Sequence, residues 1–415
     1  MKRTDGRTWA VVFVLFASLA LNFLDRLVLA NVAPVLHAEL GLSGTGYSVI
    51  VTVFMAGMTL GQLPAGILID RLGARLALPA IFTGWSVANM AQALARGVAS
   101  FSALRFVMGV FQCGNYSAGI KVIGGLFPAR QRALALAVFD AGTLAGSVVA
   151  PPIVVWVLMH FGWRAAFLLP SALSMLWLLP WFRVYARHPA PAAVVAARGA
   201  QAVSLIHLLR RPETWGAILM RGLGGPVSQL YWYWLPLYFV RGRGMSMSAM
   251  AAFTSLAFLI GAGGNLAGGF ISGWLIHRGW GVDASRKLVF VSGVALNACS
   301  ALVPIVPGNS AAAALIAAAI FGLNWKSCTQ LAIFTDVFPE ATLARIGGLT
   351  GIAEGVFTMV VTLGTGMVVD RFSFTPVFIA AAAMPLFSAL ALFTLIGRIR
   401  RIGFPVPPAP RPAVL

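Results

Sequence analysis

Charged side chains interrupt the apolar runs of this sequence at only a few positions. The first is in residues 21–34, LNFLDRLVLANVAP, where Asp25 and Arg26 stand side by side. A charge inside a membrane is costly and persists where it has a partner or lines a wet cavity. A guanidinium can bind a carboxylate through two parallel hydrogen bonds. Arg26 is therefore predicted to bind a substrate carboxylate, with Asn22 on the same helix face; a structural pairing of Arg26 with Asp25 or with another helix is the alternative.

The other charged residues inside apolar runs are also functional candidates, because ionisable groups are rare within membranes. They are Arg105, Lys121, Asp140, Arg221, Lys326 and Glu354. Lys326 is a second cationic candidate for the substrate, although pairing with Glu354 would make it a salt bridge instead. Arg221 and Lys121 lie nearer the helix ends and are predicted to reach the membrane surface.

The composition predicts an all-α membrane protein. Hydrophobic residues make up 59% of the 415 residues and charged residues 10%, whereas ordinary domains contain about 25% charged residues. A spanning helix needs about 20 apolar residues. Twelve transmembrane helices are predicted, near 9–34, 45–69, 76–95, 101–126, 133–158, 164–182, 213–240, 248–276, 287–306, 311–335, 346–369 and 375–397.

The distribution of basic residues predicts the orientation in the membrane. With a cytoplasmic N-terminus, about 20 of the Lys and Arg residues fall on the inner side and 5 on the outer side. Such a bias places both termini in the cytoplasm. The net charge of +19 therefore orients the chain and does not indicate a nucleic acid partner. The Ala-rich and Arg-rich composition favours a bacterial inner membrane, and the first apolar run is long enough to be a retained helix rather than a signal peptide.

Motifs of other function classes are absent from the sequence. Cys113, Cys299 and Cys328 fall inside predicted helices and lack the spacing of metal ligands or of a disulfide framework. The sequence contains no phosphate-binding loop, catalytic triad or zinc motif. We therefore predict a protein that is not an enzyme and needs neither a cofactor nor a metal; its partners would be a small organic anion, protons and the lipid bilayer.

The two halves of the sequence resemble each other. GMTLGQLPAGILIDR (57–71) aligns without gaps with GNLAGGFISGWLIHR (264–278), with identical residues at six positions. Parallel six-helix repeats are typical of transporters whose halves rock about a central site. The predicted organisation is an N-terminal six-helix bundle (1–182), a cytoplasmic linker (183–212) and a pseudo-symmetric C-terminal bundle with a short tail (213–415).

The loop GILIDRLGARLAL (66–78) resembles the motif between helices two and three of the major facilitator superfamily. The match consists of Gly66, Asp70, Arg71, Gly73 and Arg75. Charge pairs between this carboxylate and the arginines would hold one conformation and release in the other. These residues, with Gly273 and Arg278 of the second half, are predicted to form a gate.

Further motifs resemble the anion:cation symporter branch of that superfamily, closest to its hexuronate and sugar-acid transporters. They are the first-helix segment 21–34, GQLPAG (61–66), residues 118–142, APP (150–152) and LPLYF (235–239). The resemblance covers nearly the whole chain. It implies proton-driven uptake of a sugar acid by alternating access.

One departure from this branch concerns proton coupling. Arg105, Met108, Gln112 and Tyr116 form a stripe on the predicted fourth helix. The resembling family has an acid, implicated in coupling, at the position of Gln112, and glutamine cannot titrate. Asp25, Asp140 and Glu354 are the candidate replacements, the last two on equivalent helices that could face each other across a cavity. The alternative is that these acids only neutralise basic neighbours.

The remaining substrate-binding candidates are Arg105, Gln112 and Tyr116 on that stripe and Gln229 in SQLYWYWLP (228–236). Thr143 is a further candidate, because it matches a position that contacts substrate in the resembling family. Family tyrosines that contact polyhydroxylated substrate correspond to Phe23 and Met58, a second departure. A proton-independent anion facilitator or exchanger is the alternative function, an exporter of amphipathic compounds is a further one, and a non-transporting sensor is a third. A monomer is predicted.

Overall fold

The computed structural model describes residues 6–185 and 205–403, and every regular element in those ranges is helical. The helices are α1 (Gly6–Leu40), α2 (Gly44–Ala91), α3 (Val98–Gln112), α4 (Gly114–Leu126), α5 (Ala129–Ser174), α6 (Leu178–Val184), α7 (Leu205–Leu209), α8 (Pro212–Leu237), α9 (Met247–His277), α10 (Val282–Ala298), α11 (Asn309–Val337), α12 (Glu340–Arg371) and α13 (Thr375–Ala391). The predicted all-α membrane fold is confirmed.

Within the described ranges, seven helical segments are long and apolar enough to cross a membrane. Two of them, Gly44–Leu94 and Arg130–Val184, have 51 and 55 residues, more than twice the roughly 20 that one span needs. Each contains one glycine at positive φ, Gly73 at 69° and Gly162 at 81°. Residues with a Cβ rarely adopt that conformation, so glycine permits the chain to turn there. The number of twelve spans stays a prediction.

Glycine contacts show the internal repeat in three dimensions. A Cβ on Gly57 or Gly61 of α2 would overlap the backbone of Phe106 or Val110 on α3. A Cβ on Gly264 or Gly268 of α9 would overlap the backbone of Phe321 or Trp325 on α11. Both the glycines and their contacts are four residues apart, one helical turn. Glycines aligned on one helix face let the backbones of two helices approach closely. Both halves of the chain show this packing.

Packing is mostly between helices of the same half. In the first half α2 packs on α3 and α1 on α5, and in the second α11 packs on α9 and α10, and α12 on α8. The main contacts between halves join α2 to α12, α5 to α9 and α1 to α8. Residues 186–204 of the predicted linker lie outside the described residues. The division into two bundles at 183–212 stays a prediction.

The two ends of the molecule differ in how tightly the halves meet. At the end where α2 begins, here called the Gly44 end, Asp370 of α12 accepts hydrogen bonds from the backbone N–H groups of Gly44 and Thr45, each 2.7 Å long. Tyr47 Oη donates to the Tyr233 carbonyl there at 2.6 Å. At the other end, called the Asp70 end, several glycines of α2 and α12 have no atom within 4 Å of an added Cβ: Gly66, Gly347, Gly348 and Gly351. Hydrogen bonds between the halves close the Gly44 end, whereas these four glycines of α2 and α12 have no close neighbours among the described residues at the Asp70 end.

Candidate substrate-binding site

Arg26 is held by two neutral side chains near the middle of the first half. Its Nε donates to Gln112 Oε1 at 3.0 Å and its Nη2 to Asn22 Oδ1 at 3.2 Å. Gln112 Nε2 in turn donates to the Asn22 carbonyl at 2.9 Å. Arg26 is 8% exposed, and no carboxylate forms an ion pair with it in the described chain. Asn22, Arg26 and Gln112, three of the residues predicted individually as substrate-binding candidates, therefore meet around a cation that no carboxylate of the described chain neutralises.

Two aromatic side chains in contact with each other lie between Arg26 and the second half. The guanidinium lies over the Phe23 ring, with Cζ 4.4 Å from its centroid. The Phe23 ring packs edge to face on Trp232 of α8, with 5.4 Å between the ring centroids. Trp232 lines a cavity that is described below. A cation over a ring recovers part of the attraction it loses on leaving water. The ring at position 23, where the resembling family has a tyrosine, thus supports Arg26 through its face.

Asp25 points away from Arg26 into a closed polar network. It accepts hydrogen bonds from Ser171 Oγ at 2.8 Å, Trp85 Nε1 at 3.1 Å and Asn89 Nδ2 at 3.4 Å. The side chain is 0% exposed. Neighbouring residues on a helix point about 100° apart, so Asp25 and Arg26 face different surroundings. Asp25 is sealed from the cavity, and no ion pair joins it to Arg26 within the described ranges.

Arg105 extends this closed network. Its Nε donates to Gln92 Oε1 at 3.0 Å, and its Nη1 donates to the Arg26 carbonyl at 3.1 Å. Gln92 donates to Asn89 Oδ1 at 2.9 Å, which joins the arginine to the surroundings of Asp25. Arg105 is 0% exposed, so it supports the backbone of Arg26 from behind. Asn89 and Gln92 were not predicted as site residues, although two amides three residues apart in an apolar run lie on one helix face.

A cavity of about 410 Å³ lies between the two halves. Polar groups from both sides line it: Asp140, Thr143 and Ser147 on α5, Ser228 and Tyr231 on α8, Asn265 on α9 and Asn324 on α11. Asp140 and Thr143 were predicted from the sequence, whereas Ser147, Tyr231, Asn265 and Asn324 were not predicted as substrate contacts. Hydroxyl and amide groups of this kind suit a polyhydroxylated solute.

The predicted fourth-helix stripe divides at Cys113, between α3 and α4. Arg105, Met108 and Gln112 are buried on α3, while Tyr116 on α4 is 46% exposed. The Tyr116 hydroxyl faces the Asp140 carboxylate, and its ring stacks on Phe139 at 5.5 Å. Tyr116 thus belongs with Asp140 rather than with Arg26.

The charged candidates of the second half form a separate cluster. Arg221 Nε lies 2.6 Å from Glu354 Oε2, and Lys326 Nζ lies 3.4 Å from Gln330 Oε1. Glu354 therefore has Arg221, and neither Lys326 nor Asp140, as its direct partner. Gln229 is not part of the cavity lining, and its buried Oε1 has no hydrogen-bond partner among the described residues.

The predicted gate residues lie at the open Asp70 end or beside it. Asp70 pairs with Lys121 Nζ at 2.6 Å, so its recorded partner is a lysine of α4 rather than Arg71 or Arg75. Gly73 makes the turn described above. In the second half a Cβ on Gly273 would meet open space, and the Arg278 guanidinium lies 4.7 Å from the Trp274 ring centroid. The gate role of these residues stays a prediction.

The sequence matches a known protein family and several known transporters. The profile of the Major Facilitator Superfamily matches residues 15–356. The hexuronate transporter of Escherichia coli K12 is 28% identical over 414 residues, covering 95% of each chain. A probable galactarate/D-glucarate transporter of the same strain is 26% identical over 442 residues, covering 97% of this chain and 96% of its own.

The fold also matches solved structures. A bacterial homologue of the human lysosomal transporter Spinster, in an inward-facing and occupied conformation, superposes with a TM-score of 0.75 at 16% identity, covering 95% of this chain and 98% of its own. Its identity is too low to carry more than the fold. The chain therefore belongs to the Major Facilitator Superfamily, and it is a multi-pass membrane transporter rather than an enzyme.

Proposed function

We propose that this transporter takes up a sugar acid, a hexuronate or a related carboxylate, by alternating access. The observation that carries the proposal is the Arg26 guanidinium, which neutral amides hold and which no carboxylate of the described residues neutralises. It lies over Phe23, whose ring packs on Trp232 of the cavity wall. A buried charge of this kind is expensive unless a partner arrives. The sugar-acid transporters among the relatives support a carboxylate as that partner.

The geometry suggests how the two parts of a sugar acid are held. Within the described residues the hydrogen bonds of the Arg26 side chain use Nε and Nη2 and leave Nη1 without a partner. Nη1 lies beside Nη2 on an edge of the guanidinium that can bind a carboxylate through two hydrogen bonds. Hydroxyl groups of the sugar would bond to Thr143, Ser228 and Asn324 in the cavity wall. The face of Trp232 would pack against the C–H groups of the carbon chain.

Orientation and state follow from the predicted topology. If the basic residues face the cytoplasm as predicted, the open Asp70 end is cytoplasmic and the closed Gly44 end is outside. The conformation would then be inward-facing, in a bacterial cell membrane with both termini cytoplasmic. Uptake would require the contacts of the Gly44 end to break and the predicted gate at the Asp70 end to close. We propose that a single copy of the chain performs this cycle.

We further propose that protons accompany the substrate, with Asp140 as the acceptor. Asp140 is the acid that lines the cavity, beside Tyr116, whereas Asp25 is sealed and Glu354 is paired with Arg221. Each net charge moved across the membrane is worth about 2.3 kcal/mol per 100 mV. A proton that enters with the anion would remove this cost.

A proton-independent facilitator or exchanger is the second candidate function. Gln112 favours it, because the resembling family has an acid implicated in proton coupling at this position and glutamine cannot take up or release a proton. Proteoliposomes distinguish the two functions. An imposed inward gradient of galacturonate is expected to acidify the lumen, read with a trapped pH dye, and Asp140→Asn is expected to abolish that acidification. Uptake of labelled galacturonate without any change in luminal pH would refute symport and leave the facilitator. A wild-type protein that neither binds nor transports sugar acids would refute the proposed function.

Replacing Gln112 with glutamate is expected to make substrate binding depend on pH. A carboxylate at Gln112 Oε1, 3.0 Å from Arg26 Nε, would pair with the guanidinium when ionised and compete with the substrate. An ordinary glutamate ionises at about pH 4.3, so affinity would fall about tenfold as pH rises from about 3.5 to about 6. Isothermal titration with galacturonate measures this dependence.

The wild type and Gln112→Met are the controls for that titration. Neither carries a titratable group at position 112, so both are expected to show a flatter profile than Gln112→Glu. Equal pH dependence in all three proteins would show that residue 112 does not govern the availability of Arg26.

A further inference from the structure

A glycine pair on α8 makes room for two charged groups of the second half. A Cβ on Gly224 would lie 2.5 Å from Lys326 Nζ, and a Cβ on Gly225 would lie 2.5 Å from Glu354 Oε1. Lys326 comes from α11 and Glu354 from α12, so three helices meet at this point. The two charged groups occupy the volume that ordinary side chains on α8 would fill.

The charges of this cluster do not balance. Glu354 is neutralised by Arg221, whose Nε lies 2.6 Å from Oε2. Lys326 is 1% exposed, and its recorded hydrogen bond is the 3.4 Å contact with Gln330 Oε1. An ammonium has three donors, and the ring of Phe290, 5.3 Å from Nζ, does not replace hydrogen-bond acceptors. The cluster therefore carries one positive charge and donors without acceptors.

Lys326 is, in this respect, the counterpart of Arg26. Among the other intramembrane cations, Arg221 pairs with Glu354 and Lys121 with Asp70. Arg105 has no ion pair in the described chain either, but it is 0% exposed and bonds to Gln92 in the closed network that reaches Asp25. Arg26 and Lys326 lie outside that network and have no carboxylate partner among the described residues, one in each half. A solute with one carboxylate neutralises one of them, and a solute with two carboxylates neutralises both.

We propose that Lys326 is a second carboxylate site, which makes this transporter selective for sugar diacids over sugar monoacids. The inference rests on the proposed function: Arg26 binds one end of the solute and Lys326 the other. Neither side chain is part of the cavity lining, but each adjoins it. The Phe23 ring beside Arg26 packs on the lining residue Trp232, and Leu323 and Asn324 line the cavity on the turn of α11 before Lys326. Thr329 and Thr358 each have a buried hydroxyl without a hydrogen-bond partner. They lie on the same helices as Lys326 and Glu354, about one turn along, and offer further donors to the second carboxylate.

The test compares galactarate with galactonate on the purified full-length protein. Both are open six-carbon chains, and galactarate has a second carboxylate where galactonate has a hydroxymethyl group. The wild type is expected to bind galactarate more tightly. Lys326→Met is expected to weaken galactarate binding by about 10- to 100-fold, the loss of a charge-assisted hydrogen bond, and to leave galactonate binding within about threefold. Lys326→Arg is expected to keep the preference for the diacid.

A melting curve without ligand separates this role from a structural one. A lysine that only stabilised the fold would lower the melting temperature when replaced, because Glu354 or Gln330 would lose a partner. If Lys326 instead serves to bind a ligand, its replacement is expected to raise the melting temperature, because removing an unpaired buried charge is stabilising. A lower melting temperature for Lys326→Met, together with equal losses for both ligands, would overturn the proposal.

Two outcomes distinguish this proposal from the proposed function. Galactonate and galactarate bound equally by the wild type, with both weakened by Arg26→Ala, would refute the second site and leave sugar-acid transport intact. Absence of binding for both ligands would refute the proposed function and this inference with it.

Discussion

Arg26→Ala is expected to weaken sugar-acid binding by about 100-fold or more. Removing one partner of a buried, hydrogen-bonded charge pair costs about 2–5 kcal/mol, and each 1.4 kcal/mol is tenfold in affinity. No carboxylate of the described residues pairs with this guanidinium, and its hydrogen-bond partners Asn22 and Gln112 are neutral, so they cannot replace its charge. Titration of the purified protein with galacturonate gives the dissociation constant directly.

The controls for this variant separate charge from geometry. Arg26→Lys keeps the charge and loses the two-point fork, so an intermediate loss of about tenfold is expected. Arg164→Ala removes an exposed arginine that lies over Trp163, with Cζ 4.2 Å from the ring centroid, and is expected to bind like the wild type. Unchanged affinity in Arg26→Ala would remove the main support for the proposed function.

Residue type and helical spacing were sufficient to select Asn22, Arg26 and Gln112 as substrate-binding candidates, but not to predict that they contact one another. Asn22 and Arg26 are one turn apart on α1, and Gln112 was predicted on a cavity-facing stripe. The sequence does not show which residues of other helices each of these side chains contacts. The separate surroundings of Asp25 and Arg26 depend on which helices pack on each side of α1, and Trp85 and Ser171 come from distant parts of the chain.

The partners of the acidic residues could not be predicted from the sequence for the same reason. Asp140 and Glu354 stand on repeat-related helices, and their sequence positions suggested that they face each other. The structure gives them different partners, Tyr116 and Arg221, because pairing depends on the side chains that neighbouring helices present. Asn265 and Asn324 line the cavity, yet a single Asn in an apolar run has no periodic pattern to reveal its direction.

The second large effect is expected at the closed Gly44 end, where Asp370→Ala should shift the transporter toward the state that opens there. Asp370 accepts three hydrogen bonds of 2.7 Å, from the N–H groups of Gly44 and Thr45 and from Thr45 Oγ1. These donors lie at the N-terminus of α2, in the other half of the chain. Loss of a capping carboxylate costs about 1 kcal/mol for the cap and up to about 1 kcal/mol for the helix dipole. The equilibrium between the two states should move by about 30-fold.

Pulsed electron paramagnetic resonance on spin labels at positions 96 and 372 measures this shift. Both positions are exposed near the Gly44 end, one in each half. Asp370→Ala is expected to increase the population at long distance, and Asp370→Asn, which keeps an acceptor oxygen and loses the charge, to give a smaller increase.

The matched control for Asp370 is Asp283→Ala. Asp283 also accepts a backbone N–H at 2.7 Å, from Ile399, but both residues belong to the second half. Because its hydrogen bond does not join the halves, its loss cannot favour either state through the Gly44 end. If both variants gave the wild-type distance distribution, the three hydrogen bonds of Asp370 would only cap α2. If Asp370→Ala alone lengthened the distance, the same hydrogen bonds would hold the two halves together, and substrate uptake would have to break them in every cycle.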